Sequence, residues 1–157
     1  MPVNAVILDA NLLVLLVVGL YSRSYIARHK RLAACSEKDF DLLSAYVASA
    51  SRLIVTPNTV TETSNLAGQT SEPARGKILK VLGKLLHTTT TEELYIDSKF
   101  AAEHPAFPRL GLTDSVLLNV ADEGRTLLTA DLDLYLAALR HGQSAVNFNH
   151  YIEANRP

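Results

Sequence analysis

Three short apolar segments, each followed by a polar residue and then by a helical pattern, constrain the fold most strongly. They cover residues 4–8, 52–55 and 126–130 and are rich in Val, Ile and Leu. Such segments are typical of strands that are buried on both faces of a parallel sheet. Strands that alternate with helices predict an α/β three-layer sandwich around a mainly parallel, twisted sheet.

Helical signals fill the sequence between these strands. Ser36 with Asp39 resembles a capping box, and Thr56 followed by Pro57 is a typical helix start. The predicted helices cover residues 37–51, a segment from Pro57 that carries Glu62, and residues 72–86, 97–104, 113–122 and 132–140, with Thr113 as a cap and Gly142 as a stop. Residues 11–18 fit a helix or a second buried segment, and residues 94–96 and 144–148 fit short strands.

The composition is that of a globular protein with one domain. Of the 157 residues 48% are hydrophobic and 20% are charged, so the chain can bury a core of its own. The single cysteine, Cys35, excludes an internal disulfide and is too few for a structural zinc site, so we expect the cytoplasm as the compartment. The apolar run at residues 12–20 is too short to cross a bilayer, and no membrane partner is expected.

Four acids stand where ligands usually bind in such a fold. Asp9 and Asp131 follow two of the predicted strands, and the carboxyl ends of parallel strands meet at one edge of the sheet. Asp114 shares the spacing of an apolar helix face, which directs it inward. Glu62 lies on the helix after the second strand and can face the same edge. The four side chains are therefore expected to converge.

Converging carboxylates repel one another, so their pKa values rise unless a divalent cation neutralises them. Oxygen-only ligands suit Mg²⁺ or Mn²⁺. Each acid also has a structural explanation. Asp9 and Asp131 can cap the helices that follow them, Asp114 can be a first-turn residue favoured by the helix dipole, and Glu62 can be a solvated surface acid. The metal hypothesis therefore depends on the set of four.

Four motifs carry these acids in order along nearly the whole chain. They are VILDANLL with Asp9, TPNTVTETSNL with Glu62, GLTDSVLLNVA with Asp114, and LLTADLDL with Asp131. Together they resemble the acid-bearing segments of the PIN domain family, in particular the small VapC-like toxins of bacterial and archaeal toxin–antitoxin pairs. Each motif alone is weak, whereas four in order at family-like spacing are fairly specific. The resemblance implies a single PIN-like domain over residues 1–157.

The resemblance also implies an activity, which is that of a Mg²⁺- or Mn²⁺-dependent endoribonuclease that hydrolyses RNA phosphodiesters to leave a 5′-phosphate and a 3′-hydroxyl. Asp9, Asp114 and Asp131 would be the catalytic metal ligands, and Glu62 would be a ligand directly or through water. Asn11, Thr113 and Thr129 would orient ligands and water, and Asp133 could assist, although family members vary there. A cognate antitoxin protein and a homodimer are the partners that the resemblance implies.

The basic residues after the first helix are the candidate substrate contacts. The net charge of −1 gives no global signature of nucleic-acid binding, so a local cluster must supply it. Arg23, Arg28, Lys30 and Arg31 lie in the connection after the first helix, which in PIN domains borders the active-site edge, so these residues could bind phosphates. A solvated loop or an antitoxin-binding surface explains them equally well.

Divalent ions can shield a phosphodiester, activate water and stabilise the leaving oxygen, so this chemistry requires no His, Cys or Ser nucleophile.

Two other functions stay open. One is a PIN-fold binding module that keeps the acids but acts through a protein or RNA partner without turnover. The other is a phosphatase or phosphoacceptor with Asp9 as nucleophile, but the D-A-N sequence lacks the second aspartate of the D-x-D motif that such enzymes use. DNA cleavage by the same acids is chemically feasible.

Overall fold

A five-stranded parallel sheet forms the centre of the computed structural model, which describes residues 4–156. Within those residues the strands are β1 (Ala5–Leu8), β2 (Leu53–Val55), β3 (Thr91–Glu93), β4 (Arg125–Thr129) and β5 (Ala145–Asn147). They pair in parallel in the order β3-β2-β1-β4-β5, with β1 in the middle. The predicted α/β class with a parallel sheet is confirmed.

Helices enclose this sheet on both faces. In the described part of the chain they are α1 (Ala10–Tyr21), α2 (Glu37–Ser49), α3 (Pro57–Ala67), α4 (Ala74–Leu86), α5 (Ser98–Ala101), α6 (Phe107–Leu110), α7 (Leu112–Val120), α8 (Leu132–Arg140) and α9 (Phe148–Ala154). Two 3₁₀ helices, Arg23–Arg28 and Lys30–Leu32, connect α1 to α2.

The core consists of two apolar clusters, one on each face of the sheet, because successive side chains of a strand point to opposite faces. Val6 and Leu8 of β1 pack with α1, α2, α3, α4 and α9. Ile7 of the same strand packs with α5, α7 and α8 on the other face. This arrangement of helix, sheet and helix is the predicted three-layer sandwich.

Two of the predicted helix starts are confirmed by their hydrogen bonds. The Ser36 hydroxyl accepts from the Asp39 amide at 3.1 Å, and the Asp39 carboxylate accepts from the Ser36 amide at 2.9 Å, which completes a capping box. At the start of α3 the Thr56 hydroxyl accepts from the Thr59 amide at 3.2 Å, with Pro57 in the first turn.

Helix α1 is buried along almost its whole length because it contacts α2, α3 and α4 as well as the sheet. Its burial explains the unbroken apolar run in the sequence, and it decides between the two interpretations of residues 11–18 in favour of a helix. No helix in residues 4–156 combines the length and the apolar character that crossing a membrane requires.

The local predictions for residues 94–96 and for Thr113 are wrong. The strand expected at residues 94–96 lies at Thr91–Glu93 instead, where the polar sequence TEE forms an edge strand that gives no apolar signal. Thr113 does not cap a helix, because α7 already begins at Leu112. Its N-cap is Gly111, which has a φ of 87° that favours glycine.

Helices α6 and α9 and the two 3₁₀ helices fall outside the predicted elements. Helix α9 follows β5 directly, and the Asn147 side chain caps it by accepting from the His150 amide at 3.1 Å. Phe148, which the sequence placed at the end of a strand, therefore begins a helix. A one-residue transition of this kind leaves no periodic signal.

We expect Gly19→Ala to destabilise the fold by about 1–3 kcal/mol, because a Cβ atom on Gly19 would overlap the buried Phe40 ring of α2. Gly83 of α4 is the matched control. A Cβ atom there meets no heavy atom within 4 Å, so Gly83→Ala should stabilise the protein by about 0.5–1 kcal/mol through helix propensity. Urea unfolding measures both changes, and an equal gain from the two substitutions would contradict the packing described.

Candidate metal centre

The strand order creates a crevice at the carboxyl ends of β1 and β4. The two strands are neighbours, but the helices that follow them, α1 and α8, pack on opposite faces of the sheet. Open parallel sheets bind ligands in such a crevice, outside the strand ends where the direction of the connections reverses. Asp9 follows β1 directly and Asp131 lies two residues after β4. The structure therefore places both acids at this crevice.

Asp9 is buried and held by hydrogen bonds at both carboxylate oxygens. Oδ1 accepts from the Leu12 amide at 2.9 Å, which caps α1. Oδ2 accepts from the Thr129 hydroxyl and from the Ala130 amide, the latter at 3.3 Å. These hydrogen bonds fix the orientation of the carboxylate, and Oδ1, which accepts a single hydrogen bond, keeps a lone pair for a ligand.

Burial raises the pKa of Asp9, and the nearby Asp131 charge adds to this increase. The hydrogen bonds from Thr129, Leu12 and Ala130 act in the opposite direction because they stabilise the charged form, but burial outweighs them. Asp9 is therefore a well-positioned carboxylate in an environment that favours a compensating positive charge.

Thr129 connects Asp9 to Asp131. Its hydroxyl donates to Asp9 and accepts from the Asp131 amide at 3.0 Å. Asp131 is exposed, and its Oδ1 accepts from the Leu134 amide at 3.1 Å to cap α8. Both proposed capping roles are thus confirmed, and they fix the positions of the two acids rather than exclude another use of them.

The pKa of Asp114 is the clearest sign that the charges of the four acids interact. Asp114 lies half-buried in the first turn of α7. Burial, followed by the charges of Asp131, Asp9 and Glu62, raises the pKa of its carboxyl to about 7. Four residues from four separate segments of the chain therefore share one electrostatic environment.

Glu62 is exposed on α3 and lines a shallow cavity of about 400 Å³ that Thr113 of α7 also lines. Thr113 thus lies beside Glu62, although it caps no helix. Asn11 is exposed in the first turn of α1. Asp133 is exposed as well and lies 4.0 Å from Arg109, and it is not among the charges that raise the Asp114 pKa. The structure connects Thr129 and Thr113 to the acids and gives no such connection for Asn11 or Asp133.

The four basic residues of the connection after α1 do not act alike. Arg23 donates to Asp41 of α2 at 3.0 and 2.8 Å, so it joins the connection to that helix. The Arg28 guanidinium lies 5.2 Å from the centre of the Tyr25 ring. Lys30 and Arg31 are exposed, and no ion pair involves them within residues 4–156.

His29 fixes this connection to α3. Its ring is buried, its Nε2 lies 3.0 Å from the Ala67 carbonyl oxygen, and its Nδ1 accepts from the Arg31 amide at 3.2 Å. Nε2 must therefore carry the proton and donate to Ala67. Ala67 ends the helix that carries Glu62, so Lys30 and Arg31 are tethered to an element of the acidic site.

The donor chemistry of the four acids fits Mg²⁺ or Mn²⁺, because every side chain offers hard oxygen ligands. In residues 4–156, however, no group of three or more His, Cys, Asp or Glu side chains is arranged so that it could hold a metal ion. Mutual repulsion separates carboxylates when no positive charge lies between them. The acids thus interact through their charges without forming a preassembled chelate.

Sequence reasoning missed three polar residues at this site, namely Asn58, Thr61 and Asn65, which line the cavity with Glu62. Their spacing of three and four residues along α3 is a signal that the sequence already contained.

Comparisons with protein-family models, curated proteins and solved structures found no match for this chain. The resemblance to PIN domains therefore stays a prediction from the four motifs.

The raised Asp114 pKa leads to a stability prediction. Between pH 3.8 and about 7 the native state keeps a proton that the unfolded chain releases, so the free energy of unfolding falls as pH rises through this window. Asp114→Asn removes the charged form. In EDTA we expect it to stabilise the protein at about pH 8 by roughly 1–2 kcal/mol, a value reduced for solvent screening, and to have little effect at about pH 4.

Urea unfolding of both proteins at the two pH values measures this difference. Glu123→Gln, which changes an exposed acid whose side chain makes no hydrogen bond or ion pair within residues 4–156, serves as the control for the general effect of removing a charge. A difference between wild type and Asp114→Asn that is the same at both pH values would contradict the charge interactions assigned to Asp114.

Proposed function

We propose that this protein is a Mg²⁺- or Mn²⁺-dependent endoribonuclease of the PIN type. The observation that carries the proposal is the Asp114 carboxyl, whose pKa is raised to about 7 by burial and by Asp131, Asp9 and Glu62. A carboxyl whose pKa is raised by burial and by neighbouring acids, at the ligand-binding edge of a parallel sheet, is typical of catalytic sites. The four motifs that carry them agree with this assignment.

Asp9, Asp114 and Asp131 would hold the cation, with Glu62 as a ligand directly or through water. A bound divalent ion supplies charge neutralisation at the phosphodiester and lowers the pKa of water. Thr129 keeps the Asp9 carboxylate in place through its hydroxyl. With a pKa of about 7 the Asp114 carboxyl is partly protonated near neutral pH, and positive charge at the site would favour its charged form.

RNA is the substrate that the motifs favour, with DNA as the alternative to be tested. Arg28, Lys30 and Arg31 would contact phosphates, since they are exposed on the connection that His29 fixes to α3. Arg23 is less suited to this role because Asp41 engages its guanidinium. The proposal extends to the toxin of a type II toxin–antitoxin pair in the cytoplasm, with a cognate antitoxin and a homodimer as partners, on the strength of the resemblance alone.

Two observations favour a second function. Both oxygens of Asp9 already accept hydrogen bonds, and the acids of residues 4–156 form no ready-made metal group. Such a site suits a PIN-fold module that binds a protein or RNA partner without turnover. This function predicts RNA or partner binding with no strand cleavage under any metal condition.

Cleavage of a labelled RNA pool separates these functions. We expect cutting with Mg²⁺ or Mn²⁺ and none with EDTA. Asp114→Asn should lower the rate by roughly 100-fold or more, and Glu62→Gln by about 10-fold. Glu123→Gln, an exposed acid at the amino end of β4, is the matched control and should cut like wild type.

Cutting that survives EDTA, or an Asp114→Asn protein that cuts at the wild-type rate, would overturn the nuclease proposal. A rise in melting temperature with Mn²⁺ without cleavage of any RNA would favour the binding module. Mapping the new ends on RNA and on single-stranded DNA of the same sequence determines which nucleic acid is the substrate.

A further inference from the structure

The cavity beside Glu62 has a chemistry of its own. Its volume is about 400 Å³, and its lining residues are Pro57, Asn58, Thr61, Glu62, Asn65 and Thr113. Five of these lie on α3, while Thr113 precedes Asp114 on α7. The cavity therefore includes Glu62 and is bordered by the helix that carries Asp114.

One face of α3 presents neutral hydrogen-bonding groups to this cavity. Asn58, Thr61 and Asn65 are three and four residues apart, which puts them on the same side of the helix. Within residues 4–156 the side-chain hydrogen bonds of α3 involve only Thr56 and Thr59, at its start. The two amides and the hydroxyl thus keep all their donors and acceptors for a ligand.

We propose that this face of α3 recognises a nucleobase of the bound strand, next to the cleavage position. The proposal rests on the nuclease function and adds a specificity-determining surface to it. No cationic side chain lines the cavity and Glu62 is an acid, so a phosphate is disfavoured there. Asparagine amides offer a donor and an acceptor side by side, which matches the edge of a base.

The face suits single-stranded rather than paired RNA. The bases of a single strand expose their Watson–Crick edges, whereas a duplex hides these edges and presents a deep, narrow major groove. Asn65 also lies two residues before Ala67, whose carbonyl binds His29. The connection that bears the exposed Lys30 and Arg31 is thus attached to the carboxyl end of the same helix.

Binding without cleavage tests this inference directly. Asp114→Asn protein in EDTA is titrated into fluorescein-labelled oligo(A), oligo(U), oligo(C) and oligo(G) RNA, and anisotropy gives the dissociation constants. We expect unequal affinities for the four RNAs. Adding Asn58→Ala or Asn65→Ala should weaken binding of the preferred RNA by roughly 5–100-fold and make the four affinities more equal.

Asn4→Ala is the matched control, because this exposed asparagine lies at the amino end of β1, on the opposite edge of the sheet. It should leave all four affinities unchanged. Melting temperatures show that each variant is folded. Equal affinities in the parent protein, an equal loss on all four RNAs in the alanine variants, or no RNA binding at all would overturn the inference.

This experiment separates the inference from the function on which it rests. Loss of base discrimination in Asn58→Ala and Asn65→Ala supports the nucleobase surface even where wild type cuts no RNA, in which case the nuclease proposal alone fails. Wild-type cleavage without a base preference at any position near the cut would overturn the nucleobase surface alone.

Discussion

The hydrogen bond from the Thr129 hydroxyl to the Asp9 carboxylate joins the ends of the two strands that flank the crevice. The two residues are 120 positions apart in the chain, and the bond forms only because β1 and β4 pair in parallel and in register. The same hydroxyl accepts from the Asp131 amide. A single buried threonine therefore fixes Asp9 and Asp131 at one edge of the sheet. The charges of these two acids, together with that of Glu62, act on Asp114.

Placing these acids together lowers the stability of the native state but creates a site that can attract a cation. Burial and like charges raise the pKa values of Asp9 and Asp114, so the native state keeps carboxylates under conditions that disfavour their charge. Hydrogen bonds from Thr129, Leu12 and Ala130 offset part of that cost for Asp9. Acids that served only as helix caps would not need to share one environment. The remaining unfavourable charge is what a divalent cation would neutralise.

The features that the sequence predicted well have local signals. Asp9 and Asp131 follow apolar strands, so their common edge could be inferred from the parallel arrangement alone. Strand β3 (Thr91–Glu93) was misplaced because it is polar, and pairing with β2 determines its position. The start of α7 depends on the positive φ of Gly111, and a glycine in the sequence does not by itself reveal that it adopts this conformation. The bridging role of Thr129 is a contact between distant segments, so it became visible only in the folded chain.

Site-resolved binding of Mn²⁺ is the most direct test of the idea that these four acids form one cation site. Paramagnetic broadening of backbone amide NMR signals identifies the residues near the ion. We expect selective broadening around Asp9, Glu62, Asp114 and Asp131, and its loss in the Asp114→Asn protein. Broadening centred on the acids at the opposite edge, such as Glu92 and Asp122, or spread evenly over the surface would contradict a shared site at the carboxyl ends of β1 and β4.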